Sequence, residues 1–306
     1  MRTVRIDRVR AKAGDALLRR VAGPEAHRKR ARIHGTPGPR WFAPDRPVRV
    51  VHGDASMYVG GLAALLLQSL HPVAMAAVWA HSGFRGDPWG RLQRTSTFLA
   101  ETTFGTAGDA ERAVRRVRAV HARVTGTTTD GTAYRASDPA LLSWVHLAET
   151  CCFLRAYQCY GKGPLPAARR DGYVADMASV ARRLGVPDPP VTEAALGEAL
   201  ERRRGELRTT DEAAGTARYL LAAPPLPWPA RLPYALLAAA AVDLLPPWAR
   251  RLVVLPVHIR LLLPVARPGG RLVVAAIRWA TPAPPVATRR PTAAEGGRRP
   301  ADPPGR

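Results

Sequence analysis

The chain has 306 residues, enough for one large domain or two ordinary ones, and carries 46 Lys and Arg against 24 Asp and Glu, a formal charge of +22. Such a balance invites a nucleic-acid reading. The arginines, however, are spread along the whole chain, only Lys12, Lys29 and Lys162 accompany them, and no aromatic platform or recognised nucleic-acid motif is interleaved with them. Specific nucleic-acid binding is therefore set aside, and peripheral attraction to an anionic membrane surface is retained.

Residues 1–45 are basic, turn rich in Gly and Pro near their end, and are expected to be only partly ordered. From there helices are predicted in succession. Asp54 is placed to cap a helix reaching Leu70, in which Gly60-Gly61 permits close approach of a neighbour or a ligand. His71-Pro72 breaks it and opens a second helix to Ala80. The apolar run from Leu62 to Ala80, interrupted by Gln68, His71 and Pro72, reads as buried helices rather than a membrane span. Asp87-Pro88, a cap followed by a first-turn proline, launches a helix to Thr103, and another spans Asp109 to Val124. Asp130-Gly131 marks a short hairpin. Further helices are predicted over 139–160, 167–184, 193–204, 213–221, 229–244 and 247–263, and residues 282–306 form a Pro-, Arg- and Gly-rich tail too poor in apolar residues to fold. The expectation is an all-α, single multi-helix domain over 46–281.

Cys151, Cys152 and Cys159 fall within one predicted helix. An odd number of cysteines, two of them adjacent, suggests neither a disulfide framework nor a zinc site. With no apolar leader at the N-terminus, a cytoplasmic protein is expected.

Three groups of residues stand out as a candidate site. At 100° per residue Val114, Val117, His121 and Val124 share a face, with Arg112, Arg115, Arg116 and Arg123 opposite. An imidazole on an aliphatic stripe must find a hydrogen-bond partner or a metal, because burying it unpaired costs about 1–3 kcal/mol. It is thus either a core histidine or an axial ligand to iron. Arg91, Thr95, Phe98 and Thr102 also share a face. An inward arginine beside a threonine suits an anionic ligand or an oxygen species, or else an ion pair within the bundle. Finally, His146 and Glu149 lie one turn apart on the face of Leu142, Phe153 and Tyr157, where Glu149 either orients a cofactor-contacting His146 or simply bonds to it.

No Glu-x-x-His occurs, which removes a di-iron carboxylate bundle, and Gly-x-Ser-x-Gly and a glycine-rich phosphate loop are also missing. A single iron held within haem suits the inventory better, since haem supplies four of its own ligands.

The motifs GDASMYVGG, QSLHPVAMAAVWAHSGF, DPWGRLQRT, RRVRAVHARVTG and YRASDPALLSWVHLAE, and more loosely AYQCYG and LGVPDPP, run in order over about residues 50–190. In that order they resemble the MpaB/rubber-oxygenase catalytic-domain family, α-helical haem-b proteins that include latex-clearing proteins. The resemblance implies His121 as proximal ligand of the haem iron, Arg91 and Thr95 on the distal side or at a propionate, and His146 as a supporting pocket residue. It also implies O2-dependent oxidation of an apolar substrate, an isoprenoid among the candidates. The chain departs from the family at Arg94, where some rubber oxygenases carry a lysine able to ligate iron, and in having no glutamate in the 72–80 helix to serve as a base. The alternative from another class is a non-catalytic haem-binding or sensing protein, and a third is a basic interaction protein without a cofactor.

Overall fold

The computed structural model of the protein describes residues 2–81, 87–222 and 226–281, and the side chains of these from Ile6 onward except that of Pro88. The tail expected over 282–306, and Ser82, Gly83 and Phe84 of the second motif, lie outside the described residues.

Among them the architecture is all-α with a single two-stranded ribbon. Helix α4 (Met57–Ser69) is its axis. The sequence MYVGGLAALLLQS is apolar all round, so the helix has no face to offer water and is covered on every side. It packs on α8 (Pro139–Tyr160), α12 (Trp228–Leu244) and α11 (Asp211–Ala222). Its closest approach is to α8. A Cβ placed on Gly60 would lie 3.0 Å from Ala156 Cβ and 3.0 Å from Phe153 Cδ1, so the expected close approach at Gly60-Gly61 is to a neighbouring helix. Pro72 then turns the chain by 107° into α5 (Pro72–His81). No single described helix is long and apolar enough to cross a membrane; the bent α4–α5 pair reaches that composition only jointly.

Helix α6 (Pro88–Phe104) starts at Asp87, whose carboxylate accepts the Gly90 N–H at 2.7 Å. Thr106 and Asp138 likewise cap α7 (Ala107–His121) and α8. The hairpin pairs β1 (Thr125–Thr127) with β2 (Ala133–Arg135) around Gly131, at φ 86°. Helices α9 (Ala167–Leu184) and α10 (Glu193–Arg203) cover α8. Helix α9 stops at Gly185 in the left-handed conformation, which only glycine adopts without strain.

Several elements differ from the sequence expectation. Residues 1–45, read as partly ordered, carry α1 (Arg2–Ala22) and α2 (Ala26–Gly35), with α1 packed on α6 and on α15 (Ala266–Ala280). A short α3 (Pro47–His52) precedes α4. Asp54 does not cap α4. It accepts the Ser56 N–H at 2.8 Å and a guanidinium fork from Arg278 at 2.9–3.2 Å, tying α15 to the centre. The helix expected over 247–263 is divided by Pro256 into α13 (Pro247–Leu252) and α14 (Val257–Leu262), the latter running into a 3₁₀ turn at Leu263–Val265. Helix α7 ends at His121, so Val124 precedes β1, its carbonyl accepting the Ala136 N–H at 2.9 Å, rather than continuing the helical stripe.

Candidate functional site

Helix α6 is half-buried from Trp89 to Ala100 apart from the exposed Arg94, and fully buried at Glu101–Thr103. It is fixed at that end by ions. Glu101 and Asp109 are inside the protein, and Arg32 of α2 reaches both. Arg116 adds a second guanidinium to Glu101 at 2.7 Å and Arg112 one to Asp109 at 2.7 Å. Unpaired, either carboxylate would cost several kcal/mol. Paired, they clamp α2, α6 and α7 together. This fixes the frame that carries Arg91, Thr95 and His121.

Arg91 points into the protein. Burial lowers its pKa to about 10, and the carboxylate of Glu149 on α8 works in the opposite direction. Glu149 in turn is pushed up to about 7 by burial, with Gln68 and Arg91 drawing it back down. Gln68 lies beside the carboxyl, although its Nε2 makes no hydrogen bond of full geometry. Glu149 therefore belongs with Arg91 and Gln68. It does not orient His146 as the i,i+3 spacing suggested: His146 Nδ1 meets Thr150 Oγ1 at 3.3 Å.

His146 is buried, its Nε2 has no hydrogen-bond partner, and burial followed by the nearby Arg182 lowers its pKa to about 4. His121 sits at the last turn of α7, half-buried, with burial holding its pKa below the ordinary value. No described residue hydrogen-bonds to its ring. Both imidazoles are therefore neutral at pH 7, the form that has a lone pair to give to a metal. Thr95 is half-buried one turn from Arg91, whereas Arg94 is exposed and pairs with Asp87 at 3.5 Å.

A further histidine was not picked out from the sequence. His52, at the end of α3, binds Thr103 Oγ1 through Nδ1 at 2.8 Å, approaches the Tyr173 hydroxyl at 3.4 Å, and meets Phe153 edge-on at 5.5 Å. Burial lowers its pKa to about 3. The same signal that flagged His121 was present, since the segment PVRVVH puts an imidazole at the end of an apolar turn.

His52, Arg91 and Glu149 share a property. Each is desolvated strongly enough to move its pKa, yet each keeps accessible surface. The three come from α3, α6 and α8; Arg91 faces Glu149, and Glu149 and His52 both neighbour Tyr173. A cation, a carboxyl able to change protonation near neutrality and a neutral imidazole are thus brought into one half-buried region. Among the described residues no group of three or more His, Cys, Asp and Glu side chains is placed to hold a metal alone, and the three cysteines are free.

Neither the curated proteins nor the solved structures searched give a match. A family model does, over residues 49–280, from within α3 to the last turn of α15 and across His52, Arg91, Thr95, His121, His146 and Glu149. The chain belongs to the family described as ER-bound oxygenase mpaB/B'/rubber oxygenase, catalytic domain.

Proposed function

We propose that the chain binds haem b and uses it, with O2, to oxidise an apolar substrate. The observation that carries this reading is the desolvated Arg91 facing a Glu149 carboxyl poised near neutrality, in a domain of an oxygenase family. The residues fit the group. His121 is neutral and no described residue hydrogen-bonds to its ring, so a ring nitrogen is available to iron, and His146 keeps an orphaned Nε2 inside the protein.

When bound, haem supplies the redox-active iron that O2 chemistry needs. The rest falls to the chain. His121 would hold the iron through an imidazole nitrogen. Arg91 would pair with a propionate of the group or offer a donor to O2. Thr95 would offer one hydroxyl donor beside it. His146 would complete the pocket wall. With a carboxyl near neutrality, Glu149 can hold or release a proton next to Arg91, a role that the α5 segment PVAMAAVWAH, lacking any glutamate, cannot fill. The partly accessible apolar residues between Leu65 and Trp79 would receive the substrate.

The test is oxygen uptake by haem-loaded protein supplied with an unsaturated hydrocarbon such as squalene or a short polyisoprene. Substrate-dependent uptake that Arg91→Ala abolishes is expected. A haem-loaded protein that consumes no O2 with any such substrate would instead be a haem-binding or sensing protein.

A further inference from the structure

We propose that the outer face formed by the start of α12, by α14 with its 3₁₀ turn, and by the adjoining turn of α15 docks the protein on an anionic lipid bilayer. The most exposed large apolar side chains among the described residues gather on these elements: Trp228 at 80%, Leu261 at 74%, Val257 at 71%, Leu272 at 67% and Leu232 at 65%. Trp228 and Leu232 are one turn apart on α12. Val257, Leu261 and Val265 continue at the same spacing along α14 and its turn. The elements pack on one another, α12 on α14, on the 3₁₀ turn and on α15.

This face is held firmly from behind. Ile259 is fully buried beneath α14, His258 Nε2 meets the Leu221 carbonyl at 3.1 Å, and the Tyr234 hydroxyl donates to the Leu220 carbonyl at 2.6 Å. The exposed side chains are thus presented by an ordered surface, and burying none of them in the fold calls for a partner.

Charge identifies that partner. Between Ala222 and Thr281 the sequence has one carboxylate, Asp243, and it is already paired with Arg250 at 3.4 Å and Arg267 at 3.1 Å. Arg231, Arg260 and Arg271 are exposed on the same elements and have no ion pair with a described residue. A second copy would bring an equally positive face and repel. The 282–306 segment offers a single large aliphatic, Val286, against five arginines, so its composition does not supply an apolar cover. An anionic bilayer satisfies both halves of the surface. Lipid phosphates and carboxylates pair with the guanidinium groups, while Trp and Leu side chains enter the boundary between headgroups and acyl chains.

Co-sedimentation of the full chain with phosphatidylcholine vesicles, with and without phosphatidylserine, tests this proposal independently of any haem. Binding is expected on the mixed vesicles and should weaken with salt. Trp228→Ser combined with Leu261→Ser should reduce it by about tenfold, as should Arg231→Gln with Arg260→Gln, with thermal melting unchanged. Arg115→Gln with Arg123→Gln removes the same charge from exposed positions on α7 and the turn that follows it, and should reduce it far less. Protein that stays in the supernatant with mixed vesicles overturns the proposal. So does an equal loss from both arginine pairs, which would mean general attraction to a cationic protein. A dimer in sedimentation equilibrium that the Trp228/Leu261 variant dissociates would make a second copy the occupant, and the lipid proposal would fall.

Discussion

Helices α8 and α6 both contribute to the central polar cluster, and they are held in place by opposite means. On α8, thirteen of the 22 residues are buried, and its backbone presses against α4 through Gly60 with no charge involved. On α6, only Glu101–Thr103 are fully buried, and the clamp is ionic, Glu101 with Arg32 and Arg116. A wall made by packing is stiff and intolerant of added volume. A wall pinned at one end by ion pairs leaves its other end, with Arg91 and Thr95, only half-buried. The site lies where the two kinds of support meet.

The sharpest way to break this comparison is to add volume on the packed side. Gly60→Leu should cost at least the 1–3 kcal/mol typical of overpacking, seen as a lower urea midpoint. Gly61→Ala, whose Cβ would meet only Phe153 Cε1 at 3.8 Å, should be neutral or slightly stabilising because alanine favours helix. Equal losses at both positions would mean that α4 and α8 are not in the close contact described.

On the ionic side, Glu101→Gln leaves Arg116 without its carboxylate and Arg32 with Asp109 alone. It should lower stability by about 1–3 kcal/mol. It should also weaken whatever ligand Arg91 and His121 hold, since both ride on the clamped helices. A variant of wild-type stability would show that the clamp carries no weight.

The pH dependence of stability separates the titrating groups. Glu149 has a folded pKa of about 7, raised by burial, so its contribution is fully present below the ordinary carboxylate range and is lost as pH rises through 7. Relative to wild type, Glu149→Gln should gain melting temperature progressively between about pH 5 and 7 and level off above. The buried imidazoles act in the other direction. With folded values of about 3 for His52 and about 4 for His146 and His34, their stabilisation is present above the usual histidine range and is lost as pH falls through those values. A Glu149→Gln difference that does not change with pH would show the carboxyl to be already ionised.

The smallest effect is expected at Arg94. It is exposed and its ion pair with Asp87 is open to solvent, so Arg94→Gln should change stability by less than about 0.5 kcal/mol and leave any bound ligand's spectrum unaltered. A spectral shift there, with none from Arg91→Ala, would mean that α6 is rotated relative to its described position.

What could be read from the sequence was what is local. Asp87-Pro88 and Asp138-Pro139 announce helix starts, Asp130-Gly131 a hairpin and Pro72 a break, because each acts on its own turn of backbone. Helix α1 also carried a signal, with Val4, Ile6, Val9, Ala13, Leu17 and Val21 at helical intervals, but dense arginine masked it. The pairings made across the chain left no such trace. Nothing in the spacing around Asp54 points to Arg278, and nothing around Glu101 points to Arg32. Glu149 is the instructive case. Its i,i+3 relation to His146 was visible and suggested a partner, whereas its actual neighbours, Arg91 and Gln68, come from two other helices. For the candidate site, residue types and helix faces were legible; which group titrates beside which was not.

The central claim is that this chain carries haem on His121. Protein produced with ample haem and assayed by pyridine haemochrome, with its absorption spectrum, tests it most directly. The account predicts a Soret band, about one haem per chain in the wild type, most of it lost in His121→Ala and less in His146→Ala. Protein that gains no Soret band on haem titration would contradict the claim, and haem retained by His121→Ala but lost by His146→Ala would move the ligand to α8.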